Sequence, residues 1–359
     1  MAKNARLVIG GVDTHADTHT AAVIDSTGSM LGHREFPSDL AGCKALLAWV
    51  RRHGRVEQIG VEGTGSYGAG LMRLLNVRGI EVIEVDRPDR KLRRAKGKSD
   101  PIDAEAAARA VLSRQATGTP KSRAGVVEAI RVLRVTRDGA VKARTAALNT
   151  LVNLARTAPE PLAGQLHGLS ARKLVHASCD WSTTAKDLSN PVAATQVAIS
   201  RLSGRVRQLD LEIKEASTQL AALLKAAAPA LLERFGVGPE TAGQLLVTAG
   251  DNPGRLTDDK SFALLAGVAP LLASSGRTNR HRLNRGGDRH ANSALFTIVL
   301  CRMAGHPPTQ AYVARRTAEG LSKPEIMRCL KRYVARELFP LILQALMPEI
   351  DAEDHVTAA

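Results

Sequence analysis

The chain has 359 residues, with 50 lysines and arginines against 35 aspartates and glutamates, for a formal charge of +15. Hydrophobic residues make up 44% and glycines number 30, which excludes a low-complexity or collagen-like chain and leaves material for about two or three domains with their own cores. Aromatic residues are only 3%, so Val, Leu, Ile and Ala must fill those cores.

In chain order, Leu7 to Val12, Thr20 to Ile24 and Leu31 to Phe36 read as three short strands joined by polar turns. A helix from Leu40 to Arg52, a strand at Gln58 to Glu62, a short helix from Ala69 to Asn76 and a strand at Glu81 to Val85 follow. Asp100-Pro101 then opens a further helix, with Asp100 suited to the N-cap and Pro101 to the first turn. Three strands followed by alternating helices and strands predict a mixed sheet covered by helices, the order of an RNase H-like fold.

Beyond Ala124 the strand signal ends. Ala124 to Arg156 reads as one long helix that Gly139 weakens, and 158–191 as an irregular stretch rich in Pro, Gly, His and Ser. Ile199, Leu202, Val206, Leu209, Ile213, Ala216, Leu220 and Leu223 alternate steps of three and four. That heptad series predicts a coiled coil, folded back on the preceding helix or paired with a second protomer. Around Phe235-Gly-Val-Gly, two glycines separate apolar helical runs, either as a phosphate-holding helix-hairpin-helix or as an ordinary helix-helix turn. The expected domains are 1–120, 121–228 and 229–345, with a tail at 346–359.

Cys43, Cys179, Cys301 and Cys329 lie far apart without a CxxC pair, so neither a disulfide framework nor a zinc site is expected. MAKNARLVIGGVD is too short an apolar stretch for a secretory signal, and no segment approaches the roughly 20 apolar residues of a membrane span. A cytoplasmic chain with no membrane partner is expected.

The positive charge is clustered. Arg87, Arg90, Lys91, Arg93, Arg94, Lys96 and Lys98 form one run, and Arg277, Arg280, Arg282 and Arg285 a second. Each run adjoins a polar motif, which favours contact with a phosphate backbone over a merely solvated loop.

Four acids stand at strand and helix ends: Asp13 in GGVDTH, Glu62 in IGVEGTG, and Asp100 and Asp103 in SDPIDA. Asp100 and Asp103 share one helical face by their spacing. If all four converge, their mutual repulsion calls for hard cations, Mg²⁺ or Mn²⁺, and two such ions suit a phosphoryl displacement. Helix capping alone explains Asp100 and Asp103, but not a carboxylate closing an apolar strand. Gly63-Thr-Gly65-Ser-Tyr-Gly68 with Asp86 downstream also fits a dinucleotide fingerprint, although Glu62 would then lie close to a pyrophosphate. In the second basic region, Ser274-Ser275-Gly276 places two hydroxyls beside arginines that can stabilise an attacked phosphate, and residue types alone leave the two serines equivalent. His15, His19, His281 and His290 are possible acids or bases, although polar-loop histidines are usually only surface residues.

GVDTH, VEGTGSYG, KSDPIDA, GVGPETA, GVAPLLASSG and NRGGDRHANSAL, in that order and spanning about Val8 to Arg336, resemble one family. It is that of the DEDD-type transposases of bacterial insertion sequences, related to the Piv invertase and understood as bridge-RNA-guided recombinases. The resemblance implies a RuvC-like N-terminal domain, a helical coiled-coil linker and a helical C-terminal transposase domain. It implies Asp13, Glu62, Asp100 and Asp103 as a metal-binding tetrad, and Ser275, directly before Gly276, as the nucleophile. A covalent phosphoserine-DNA intermediate, donor and target double-stranded DNA, a structured guide RNA, a dimer or tetramer and a nucleoid-associated location come with it. Three other readings are a nuclease or junction resolvase using water on the same tetrad, a non-catalytic nucleic-acid scaffold, and a nicotinamide enzyme.

Overall fold

The computed structural model describes residues 6–85, 99–182, 184, 187–274 and 281–347. Arg87, Arg90, Lys91, Arg93, Arg94, Lys96, Lys98, Ser275, Arg277 and Arg280 lie outside the described residues. So does the fingerprint residue Asp86.

The chain divides into two units. The first comprises Met1–Arg123 with Gly250–Arg255. Strands β1 (Leu7–Thr14), β2 (Thr18–Asp25), β3 (Met30–Pro37), β4 (Arg55–Glu62) and β5 (Glu81–Val85) form one sheet in the order β3-β2-β1-β4-β5. β1 runs antiparallel to β2, and β2 to β3, whereas β4 is parallel to both β1 and β5. The expected meander and mixed sheet are both present. The three-strand meander also distinguishes this sheet from the all-parallel sheet of a dinucleotide-binding fold.

Helices α1 (Leu40–His53) and α2 (Ala69–Val77) cover one face of the sheet, where Val8, Val12, Val23, Ile59 and Val61 pack on Leu46, Val50, Leu71 and Leu75. Asp39 caps α1, its carboxylate accepting from Gly42 N at 2.7 Å. Helix α3 (Asp100–Leu112) covers the other face, packing Ala107, Ala108 and Val111 on Ile9, Ile24, Ile83 and Val85. Its N-cap is Ser99 rather than Asp100, which occupies the first helical position with Pro101 next. A proline in the first turn needs no amide donor, and the shift by one residue leaves the Asp100 carboxylate free of the capping role.

Glycines set how closely α3 approaches. A Cβ on Gly11 would lie 2.1 Å from Ala104 O and 2.3 Å from Ala108 N, and one on Gly60 would lie 2.7 Å from Val111 Cγ2. The small residues of β1 and β4 thus let a helix backbone rest directly on the sheet. Gly11→Ala is expected to cost about 3 kcal/mol or more through overpacking, lowering the midpoint of thermal unfolding by roughly 5–10 °C. A scanning-calorimetry midpoint within about 1 °C of the parent would show that the helix can move away without penalty.

The second unit comprises Ala124–Ala249 with Leu256–Ala359. Helix α4 (Gly125–Arg156) runs through Gly139 without a break, and a Cβ there would meet only open space. The stretch at 158–191 is not irregular throughout. It contains α5 (Leu162–Leu166) and α6 (Ala171–Ser178), the latter capped by Ser170, and each buries too few residues for a sequence period to show. Helix α7 (Pro191–Ala227) packs on α4 along the heptad series: Ile199, Val206, Leu209 and Leu220 are buried. At the end of that series Leu224, not Leu223, takes the fully buried position. Arg144 pairs with Asp210 across the two helices.

α8 (Pro229–Leu232), α9 (Pro239–Ala249), α10 (Asp259–Leu265), α11 (Arg289–Gly305), α12 (Pro307–Ala318) and α13 (Lys323–Leu346) build the C-terminal part. Their core holds Leu245, Phe262, Leu295, Ile298, Leu338 and Ile342. A two-stranded ribbon, β6 (Leu271–Leu272) with β7 (His281–Arg282), brackets the serine segment. The first apolar run of the expected helix-hairpin-helix is only the four-residue α8. Thr241 Oγ1 accepts from Gly238 N, and Glu240, in the first turn of α9, binds Arg134. The first turn of α9 therefore carries its own carboxylate, paired with Arg134. Among the described residues, no helix is long and apolar enough to cross a membrane.

Candidate active site

The acids come together where β1 and β4 end beneath the first turn of α3. In β1, Ile9 and Gly11 face α3, so strand alternation puts Asp13 on that face, and Glu62 follows by the same rule from Gly60 in β4. The parallel register pairs Val12 with Val61, so Asp13 and Glu62 are the next residues on neighbouring strands. Thr14 Oγ1 donates to Glu62 O at 2.7 Å and ties the two strand ends together.

Beyond Thr14 the chain turns tightly, with His15 N donating to Thr18 O at 3.0 Å. That turn brings His15 back over the acids: its Nε2 lies 3.2 Å from Asp13 Oδ2 and 3.5 Å from Asp100 Oδ1. Ligand atoms of Asp13, His15 and Asp100 all lie within 4.8 Å of one another. Asp103, one helical turn beyond Ser99, is 2% exposed and its charge bears on Asp13. Burial is the main cause raising the Asp13 carboxyl above its ordinary range; His15 opposes the shift, and Asp103 and Asp100 add to it.

A buried carboxylate facing two further acids and one imidazole is poorly balanced without a cation. The donor set therefore fits a divalent ion, held by Asp13 and Asp100 with His15, and with Asp103 and Glu62 on the same face. The described cluster adds an imidazole nitrogen to the oxygen ligands expected from the sequence. Nitrogen ligation is more congenial to Mn²⁺ than to Mg²⁺. In the sequence His15 stands out only as one of four histidines that could act as an acid or base, in Asp13-Thr14-His15. Nothing in that tripeptide shows that the turn to Thr18 folds it back.

His19, in the same unit, takes no part in this cluster. His19 is completely buried, with Nδ1 against Thr18 O, and alternation with Ala21 and Val23 places it on the face covered by α1 and α2. Burial pushes its pKa down, which keeps it neutral. His281 and His290 are exposed in the second unit, as are Arg282 and Arg285.

Glycines in VEGTGSYG shape a turn. Gly63 has φ of +74°, its carbonyl accepts from the amides of Ser66 and Gly68, and a Cβ on Gly68 would meet Gly63 O, Val61 and Thr14. They let the chain leave the acid-bearing strand in little space.

A mixed sheet of this strand order, with acids at the ends of its central strands and at the head of the helix laid across them, is an RNase H-like domain. Residues 10–158 match the family model of the DEDD domain of IS110 elements, described as a transposase, and residues 228–314 match that of the IS116/IS110/IS902 transposase family. The chain belongs to the IS110 family of transposases. Two relatives come from Streptomyces coelicolor. One is an uncharacterized 43.6 kDa protein of insertion element IS110, 30% identical over 41% of this chain and 36% of its own length. The other, a mini-circle protein named as a transposase for IS117, is 24% identical over 89% of this chain and 90% of its own. Membership implies that the chain binds DNA, and the DEDD domain implies dependence on a divalent metal.

Proposed function

We propose that the protein is a site-specific recombinase that excises and inserts its own insertion sequence through a phosphoserine-DNA intermediate, directed by a structured guide RNA. The observation that carries the metal-dependent half of this reading is the gathering of Asp13, His15 and Asp100, with Asp103 and Glu62 on the same face. Asp13, Glu62, Asp100 and Asp103 form the tetrad. Bound there, Mg²⁺ or Mn²⁺ supplies Lewis-acid stabilisation of charge on phosphate oxygens.

The chain's own groups do the rest. Asp13 and Asp100 are held by the sheet and by the first turn of α3, so the site needs little reorganisation when a phosphate arrives. Ser275 Oγ attacks the DNA phosphorus and displaces the 3′ or 5′ oxygen of the cut strand. A second strand end then attacks the phosphoserine and releases the serine hydroxyl, so the phosphodiester count is conserved without hydrolysis. Arg277, Arg280, Arg282 and Arg285 bind the flanking backbone, as do Arg87, Arg90, Lys91, Arg93, Arg94, Lys96 and Lys98 in the first unit. The working assembly is a dimer or tetramer. Domains at 1–120, 121–228 and 229–345 would carry the metal site, the helical spacer and the serine.

The test is excision from a plasmid carrying the gene in its native flanking DNA, read by sequencing circular junctions. With purified protein and its RNA, junctions are expected with Mg²⁺ or Mn²⁺ and none in excess chelator. Equal yields with and without chelator would remove the tetrad from the mechanism and leave a scaffold role for the acids. Nicked or cleaved DNA without joined junctions would favour the nuclease reading.

A further inference from the structure

In the second unit, a cavity of about 720 Å³ opens between the turn after α10, β7 and one face of α13. Spacings of three and four put Arg328, Lys331 and Arg332 on the wall contributed by α13, and Arg282 of β7 faces them. The acid on that wall, Glu325, closes the capping box of α13 by accepting from Ser322 N and Oγ.

Lys331 is the unusual member. It is only 7% exposed, and its Nζ donates to a neutral acceptor, Asn292 Oδ1, at 2.7 Å. The Asn292 amide is fixed in that sense, because its Nδ2 donates to Gly267 O at 2.9 Å and Ala266 O at 3.3 Å. Lys331 forms no ion pair among the described residues. Burial, then the charge of Arg328, hold its ammonium below the usual lysine range. Beside it, Arg332 gives Nη2 to Asp259 at 2.6 Å, but Nη1 is buried without a partner. A buried cation and a buried unpaired donor in one cavity are costly for a protein that has no external anion to place there.

The scaffold around them is rigid. Gly287 stands so close to Gly267 that a Cβ would lie 2.2 Å from Gly267 N, and Asp288 caps α11 while accepting from Thr248 Oγ1 at 2.7 Å. The NRGGD run thus positions the cavity wall.

We propose that this cavity is a phosphodiester pocket: Lys331 and Arg332, with Arg282 and Arg328 at its mouth, hold one backbone phosphate of the DNA strand presented to the serine segment. The strand is assigned as DNA because β6 and β7, which bracket that segment, also bring Arg282 to the cavity. The assignment rests on the serine reading above. Pairing an anion with a buried ammonium and a pre-placed guanidinium gives charge-assisted hydrogen bonds where water competes least.

The experiment measures binding of a short fluorescent DNA duplex, and of an RNA duplex of the same sequence, to the full chain over a range of salt. Lys331→Gln is expected to weaken DNA binding about tenfold and reduce the slope of log affinity against log salt by about one. Arg328→Gln, at the exposed mouth, should shift both in the same direction by less. Thermal unfolding without DNA should be unchanged or raised in Lys331→Gln, because a buried unpaired charge is removed; a purely structural lysine would lower it. DNA affinity and slope equal to the parent in both variants would overturn the pocket, as would a loss confined to RNA. Failure of the parent to bind DNA at all would instead overturn the recombinase reading together with it.

Discussion

Asp13→Asn should abolish junction formation, with a loss of at least about 10³-fold, or ~4 kcal/mol of transition-state stabilisation, while leaving the fold intact. Asparagine keeps the size of aspartate and its contact with His15, and it removes the charge that burial and two neighbouring acids make costly. The thermal midpoint is therefore expected to hold or rise. Binding of Mn²⁺, followed by calorimetry, should fall with activity. If the variant lost stability and activity together, Asp13 would be a structural carboxylate. If it recombined normally, the metal would have to be held elsewhere. The same substitution distinguishes catalysis from DNA binding, since the affinity for duplex should change little.

Ser275→Ala carries the second large effect. Removing a nucleophile leaves no route to a covalent intermediate, so joined junctions should fall by about 10⁴-fold or more. Protein-linked DNA trapped under denaturing conditions should disappear from the gel at the same time. Metal binding in the first unit should be untouched. Persistence of the covalent species would transfer the role to Ser274, which is exposed at the end of the same segment. Strand cleavage that survives while covalent species are absent in both parent and variant would identify water as the nucleophile.

Much of the first unit was legible because its physical signals are local. Short apolar runs between polar turns marked β1 and β2, and Asp13 and Glu62 stood out as carboxylates closing apolar strands. The part of the site that was not legible depends on geometry beyond the local pattern. His15 joins the acids only through the turn to Thr18, and the helix-start assignment missed Ser99 because Asp100 has the same capping chemistry. Short helices α5 and α6 bury too few residues to establish a period. Lys331 is equally opaque in sequence: among basic residues on an amphipathic helix, only packing against Asn292 shows which one is inside.

The contact between Gly11 and α3 limits how this site can be altered. The atoms that a side chain at position 11 would strike are Ala104 O, Ala108 N and Ala108 Cα. All three belong to main chain or its Cα, so trimming a neighbouring residue opens no room. A selection for restored function in Gly11→Ala should therefore recover true revertants and few compensating changes within α3. The helix that carries Asp100 and Asp103 is thereby keyed to the strand that carries Asp13, and the lineage cannot drift the spacing of its acids one methyl group at a time.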